Sequence, residues 1–283
     1  MPKFQPRFRP LRRLFLAGLF TLAAGLAQAQ SATPIRILVG FPPGGGTDAI
    51  ARTLADKLKD QLGAPVVVDN RAGAGGQIAA QVLKSAAPDG HTLFLSHDHS
   101  ISILPLVTKN PGFDPAVDFV PVAGFATFAN ALALSGGTPA NSVAEYVRFV
   151  RQGGGKDTIG VPAPGSIPEF LVGMVGKRYG LDLQAAPYRG SAPMMGDMLG
   201  NQIRAGVASI PDFIENHKAG KLRVVAVIGD KRQAVLPDVP TFAELGIAGL
   251  EDLPYYGLFA PAGTPPAVLE RLNQALAKVV ALP

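Results

Sequence analysis

The chain has 283 residues and no cysteine, and carries 26 Lys+Arg against 21 Asp+Glu, a formal net charge of +5. The missing cysteine excludes disulfides, thiolate metal sites and cysteine nucleophiles. The basic excess lies entirely in the first 29 residues. The remainder holds 21 charges of each sign and gives no electrostatic reason to expect nucleic acid.

Residues 1–29 read as an export signal. Lys3, Arg7, Arg9, Arg12 and Arg13 form a basic n-region, and Leu14–Ala27 is a short apolar h-region. Ala27-Gln28-Ala29 is a small-x-small site, so cleavage after Ala29 makes Gln30 the first mature residue. Arg12-Arg13-Leu14-Phe15-Leu16 also fits a twin-arginine pattern, which leaves both the general and the twin-arginine export routes open. The apolar run is shorter than the roughly 20 residues of a membrane span, and no later run approaches that length. A retained anchor is the alternative to a soluble, exported protein. About 250 remaining residues can bury a large core, in one domain or two lobes.

Ile35–Phe41 is an apolar run that predicts a buried strand. Pro42-Pro43-Gly44-Gly45-Gly46 forces a turn, and Thr47 or Asp48 can cap the helix that follows. Strand, glycine turn and helix N-terminus together present unpaired N–H groups and the positive end of a helix dipole to an anion. No lysine follows the glycines and no G-x-G-x-x-G is present, so neither familiar nucleotide pattern is met. A simple structural turn is the competing reading.

In Ala49–Leu62, apolar Ile50, Leu54, Leu58 and Leu62 recur every four residues, which predicts a helix that Gly63 ends. Val66–Val68 reads as a strand, Asn70–Gly76 as a second glycine turn, Gln77–Ser85 as a helix and Thr92–Leu95 as a strand. Phe119–Ala131 lacks helical period and reads as extended chain crossing between lobes. Asn141–Arg151 is a helix with Ser142 and Glu145 spaced as a capping box. Strands at Thr158–Val161, Ala185–Tyr188, Val207–Ile210 and Leu222–Ile228 alternate with helices at Glu169–Tyr179 and from Pro193. Tyr255–Phe259 crosses back, and Ala267–Val280 is the last helix. Alternating strands and helices predict βαβ units and mostly parallel sheets, with ligand-binding loops at the C-terminal strand ends.

Chemistry-bearing residues are sparse. There is no G-x-S-x-G and no H-E-x-x-H, so no enzyme activity is expected. Ser96-His97-Asp98-His99-Ser100 can be a solvated loop, a polar pocket wall or, least well supported, a metal site. As a strand it would put His97 and His99 on one face and Asp98 on the other. Glu169 opens a helix after Gly165-Ser166-Ile167-Pro168, either complementing the dipole or contacting a ligand.

The ordered set ILVGFPPGGGTDAIAR, VVVDNRAGAGGQIAA, AAPDGHTL, GFDPAVDFVPVAG, PYRGSAPMMGDMLGNQI, HKAGKLRVVAV, LPDVPTFAELGI and YYGLFAPAGTPPAVLERLN resembles the Bug-type solute receptors of tripartite tricarboxylate transporters. The match runs from about Ile35 to the C-terminus. The resemblance implies an α/β, two-lobed periplasmic binding protein (type II-like), closing on a ligand between its lobes. It implies that Phe41–Asp48 grips a ligand carboxylate through backbone N–H groups and waters, facing a second-lobe loop at Pro164–Glu169. Three places depart from the family: the prolines and Glu169 in the second loop, Gly206-Val207-Ala208-Ser209 where an Asp is usual, and His97-Asp98-His99 where a Gly/Thr-rich loop is usual. The chain also ends at Pro283, before the further strand and helix usual in relatives.

The expected layout is a signal (1–29), lobe 1 (30–124), lobe 2 with crossovers (125–249) and a shortened return to lobe 1 (250–283). The expected ligand residues are Phe41, Pro42, Gly44, Gly45, Gly46, Thr47, Asp48, His97, Asp98, His99, Gly165, Ser166, Ile167, Glu169 and Ser209, with no cofactor and no metal. The expected function is capture of a small organic acid or related metabolite by a periplasmic monomer, for delivery to the large and small membrane subunits of such a transporter. A sensory receptor for the same ligands, or an enzyme on this scaffold, are the alternatives.

Overall fold

The computed structural model describes residues 33–282, so the export signal lies outside the described residues. In chain order the elements are β1 (Ile35–Val39), α1 (Gly46–Leu62), β2 (Val66–Asn70), α2 (Gln77–Lys84), β3 (Thr92–His97), α3 (Leu104–Val107), α4 (Pro115–Asp118), β4 (Phe119–Thr127) and β5 (Asn130–Ser135). They continue with α5 (Val143–Gln152), β6 (Lys156–Val161), α6 (Ile167–Tyr179), β7 (Asp182–Pro187), α7 (Ser191–Leu199), β8 (Ala205–Ser209), α8 (Ile210–Lys218), β9 (Leu222–Val227), β10 (Tyr255–Pro261) and α9 (Pro266–Val280).

Helix ends follow the local sequence. Gly63 takes a left-handed conformation (φ 63°) and its N–H closes α1 on the Lys59 carbonyl. Ser142 caps α5 by accepting from the Glu145 N–H at 3.2 Å, and Glu145 reaches back to the Asn141 N–H at 2.7 Å. The start of α1 differs from expectation. Its N-cap is Gly45, with no side-chain cap, and the helix takes in Gly46, Thr47 and Asp48.

The strands form two five-stranded sheets with equivalent orders, β2-β1-β3-β10-β4 and β7-β6-β8-β5-β9. The sheets are mixed. In the first, β1 pairs parallel to β2 and β3, while β10 runs antiparallel to β3 and β4. In the second, β6 pairs parallel to β7 and β8, while β5 runs antiparallel to β8 and β9. The reversed strand in each sheet is the one the chain enters from the other sheet. The chain leaves β4 and β9 at their C-terminal ends, so the next strand starts at that end and must run back.

The first sheet is covered on both faces. Leu93 and Leu95 pack with Ile37, Leu54, Leu58 and Leu276 on one side, and Phe94 packs with Leu38, Ala80 and Leu83 on the other. A separate core of Leu132, Leu134, Tyr146, Leu171, Met194, Phe213 and Phe242 surrounds the second sheet. The two crossing segments lie side by side: the Phe128 N–H donates to the Pro254 carbonyl at 3.0 Å, and the Ile228 N–H donates to the Asn130 carbonyl at 2.9 Å.

Where β1 ends, the chain passes against the second glycine turn. A Cβ on Gly40 would stand 2.5 Å from the Cα of Gly76, a backbone atom that cannot rotate away. At Gly206 the obstacle is instead the sulfur of Met198 at 2.6 Å, on a flexible side chain. Gly40→Ala is therefore expected to lower the melting temperature by about 4–10 °C, in line with overpacking costs of roughly 1–3 kcal/mol in a domain of this size. Gly206→Ala is expected to cost clearly less, and equal losses in a thermal melt would refute this difference.

Candidate functional site

The C-terminal ends of β3 and β8 and the starts of β10 and β5 meet at one cleft. Tyr256 is the register partner of His97, and Asn130 that of Ser209. The cavity there encloses about 60 Å³, room for roughly four to six waters. One side brings Phe41, Pro42, Gly45, Thr47, His97, Asp98, His99 and Tyr256. The other brings Asn130, Pro162, Ala163, Ser166, Ile167, Pro168, Ser191, Ser209 and Asp212, with Phe128 at the crossing.

Of the residues expected from sequence, Phe41, Pro42, Gly45, Thr47, His97, Asp98, His99, Ser166, Ile167 and Ser209 line the cavity. Gly44, Gly46, Asp48, Gly165 and Glu169 do not. The Asp48 carboxylate turns into its own loop. It accepts from the Gly44 N–H (3.0 Å), Arg52 Nε (2.9 Å) and Asn70 Nδ2 (2.9 Å), and Asn70 also holds the Phe41 carbonyl at 3.0 Å. Burial pushes the Asp48 pKa up, but Arg52, the Gly44 N–H and Asn70 more than offset it and leave it below the usual carboxylate range. Asp48 is a brace for the loop. Glu169 has a parallel position in the second lobe, where its carboxylate accepts from the Gly165 N–H at 2.5 Å in the turn before α6.

The cavity is also lined by Phe128, Asn130, Pro162, Ala163, Pro168, Ser191, Asp212 and Tyr256, which were not among the expected ligand residues. Asp212 has the greatest consequence. From the start of α8 it reaches across the cleft and accepts the Gly46 N–H at 2.7 Å. It also accepts from the hydroxyls of Ser191 and Ser209, each at 2.5 Å. The N-terminus of α1, read from sequence as an anion seat, thus holds an anion from the protein itself. Burial pushes the Tyr256 phenol well above its ordinary pKa and the Asp212 charge adds to this, while the Thr47 and Ser209 side chains reach its hydroxyl and act the other way.

The His97–His99 stretch departs from an extended strand. β3 ends at His97, Asp98 is helical (φ −43°, ψ −41°), and residues His99–Ile103 form a π-helical turn. Asp98 therefore faces the cleft with both histidines. His97 stacks on Phe41 with ring centroids 5.0 Å apart, and Tyr256 and Phe128 present edges to it. Its Nδ1 accepts the His99 N–H at 3.3 Å, which puts the ring proton on Nε2. His99 is 3% exposed and neither of its ring nitrogens has a hydrogen-bond partner among the described residues. Among the described residues, no group of three or more His, Asp or Glu side chains is placed to hold a metal ion.

Burial lowers the His99 pKa from 6.5 to about 4, with His97 adding to the shift and Asp98 opposing it. The folded state therefore refuses a proton that the unfolded chain takes up below about pH 6.5. Stability from this group is complete above pH 6.5 and is lost as pH falls toward 4, by up to about 3 kcal/mol. His99→Asn should flatten that part of the stability–pH curve measured by urea unfolding. An unchanged slope between pH 6.5 and 4 would contradict the assignment.

Comparison with known proteins agrees with this architecture. A family model described as "Tripartite tricarboxylate transporter family receptor" matches residues 50–283. Protein BugT of Bordetella pertussis is 34% identical over 273 residues, covering 93% of this chain and 82% of its own. The solved periplasmic binding protein BugD is 33% identical with a TM-score of 0.82, covering 88% of this chain and 83% of its own. The R. palustris protein Rpa4515, solved with adipate, is 33% identical with a TM-score of 0.82, covering 87% of this chain and 82% of its own. On the extent of the family match and of these identities, the chain belongs to the tripartite tricarboxylate transporter receptor family.

Proposed function

We propose that the protein is exported to the periplasm, captures a small carboxylate-bearing metabolite between its two lobes, and delivers it to the large and small membrane subunits of a tripartite tricarboxylate-type transporter. The observation that carries this reading is the cleft itself. Loops from the C-terminal ends of both sheets converge there, and α1, α6, α7 and α8 all begin at its wall. The relative Rpa4515, solved with adipate, supports the carboxylate as the ligand class.

The energetics require this convergence. A micromolar ligand needs about −8 kcal/mol. One hydrogen bond to a charged group contributes roughly 1.5–3 kcal/mol. An exposed helix N-terminus adds about 0.3–1 kcal/mol. The first-lobe loop alone falls short once association entropy is included. Several donors must act together with water excluded, which two-lobe closure accomplishes.

Purified mature protein should melt roughly 5–10 °C higher with a saturating ligand from a small organic-acid and amino-acid panel, as expected for a ligand at about a hundredfold its Kd. The ligand should be recovered unchanged by mass spectrometry. Flat melting curves for well-folded protein across the whole panel would sink the receptor reading, and turnover of the bound compound would replace it with an enzyme.

A further inference from the structure

The cleft holds two carboxylates, Asp98 and Asp212, and among the described residues no Lys or Arg lines it. A dicarboxylate entering would meet charges of its own sign in a partly desolvated space and be repelled. The seat that would relieve this, the Gly46 N–H with the Ser191 and Ser209 hydroxyls, is already filled by Asp212. A carboxylate offers about four acceptor sites, so three donors leave Asp212 one to spare. Asp98 is buried, and its nearest ionisable neighbour is His97 Nδ1 at 3.6 Å, a nitrogen already accepting from the His99 N–H.

Phe41, Phe128 and Tyr256 put aromatic rings into the wall, with Phe128 and Tyr256 centroids 4.5 Å apart and Phe41 stacked on His97. His99 is 3% exposed, and its two ring nitrogens are buried without a hydrogen-bond partner among the described residues. Asn130, Thr47 and Tyr256 are uncharged polar side chains of the same wall.

We propose that Asp212 determines specificity: it fills the first-lobe anion seat and, with Asp98, accepts an ammonium group, so that the ligand is a small amino-carboxylate zwitterion rather than a dicarboxylate. This rests on the receptor reading above.

The test is calorimetric titration of the mature protein with small α-, β- and γ-amino acids, with dicarboxylates of three to six carbons, and with the corresponding simple amines. The wild type should bind at least one amino acid tenfold or more tighter than the dicarboxylate of matching length. Asp212→Asn keeps the size and an acceptor for the Gly46 N–H while removing the charge. It should weaken that amino acid at least tenfold and weaken dicarboxylates little or not at all. Asp98→Asn, at a side chain that makes no contact between the lobes, should shift selectivity in the same direction and serves if Asp212→Asn melts abnormally. A wild type that prefers the dicarboxylate, or variants that weaken both classes equally, would overturn the assignment and leave the receptor reading standing. A simple amine that binds as well as the amino acid would support Asp212 as the cation partner and overturn the carboxylate half of the receptor reading. Binding of none of these compounds to folded protein would overturn both.

Discussion

Strands β5 and β10 start at the cleft because the chain can enter each sheet only where it has just left the other. β4 and β9 end at that edge, so the strand that follows must run against its parallel neighbours. This one constraint of direction places Tyr256, second residue of β10, and Asn130, first residue of β5, beside the last residues of β3 and β8, His97 and Ser209. The cleft follows from how two α/β units share one chain. The loops and helix N-termini gather there because all the parallel strands point their C-terminal ends toward it.

Within that frame the glycine loop is fixed between two carboxylates. Asp48 holds it from behind through the Gly44 N–H and Asn70, in an ion pair with Arg52 that keeps the carboxyl ionised. Asp212 meets it from the front through the Gly46 N–H. The two acids do different work although both bond the same turn. Asp48 belongs to the loop's own helix and is only 4% exposed, so it sets the loop's shape whatever the lobes do. Asp212 comes from the opposite lobe, so its bond exists only when the lobes are together.

The helices and strands were legible wherever apolar spacing was regular, as in α1 and β3, but Phe119–Ala131 and Tyr255–Phe259, expected as crossings, are mainly β4 and β10 of the first sheet, with the crossings confined to the residues just after β4 and just before β10. The reversed direction of β5 and β10 was not legible, because side-chain alternation is the same in either direction. The site was half legible for the same reason. Phe41, Pro42, Gly45, Thr47, Ser166 and Ile167 lie on or just after loops whose Gly and Pro residues mark them. Asn130 and Tyr256 sit inside strands and become visible only once strand direction is known. Asp212 carried no signal of its own, since an acid in the first turn of α8 is also explained by the helix dipole. Asp48 and Glu169 brace the backbone here, and a carboxylate beside a glycine turn looks the same from sequence whether it faces the ligand or braces the backbone.

The closing force between the lobes must remain small for such a cleft to exchange its contents. A single charge-assisted hydrogen bond, Gly46 to Asp212, is worth roughly 1.5–3 kcal/mol, a factor of about 10–150 in population. Packing adds to it where Gly190 sits close against Pro42, a spot with no room for a side chain. Contacts of this size leave the open form within thermal reach. A ligand bridging Asn130 of one lobe and Asp98 of the other would add bonds made only in the closed form. Such a differential, rather than the latch, would favour closure.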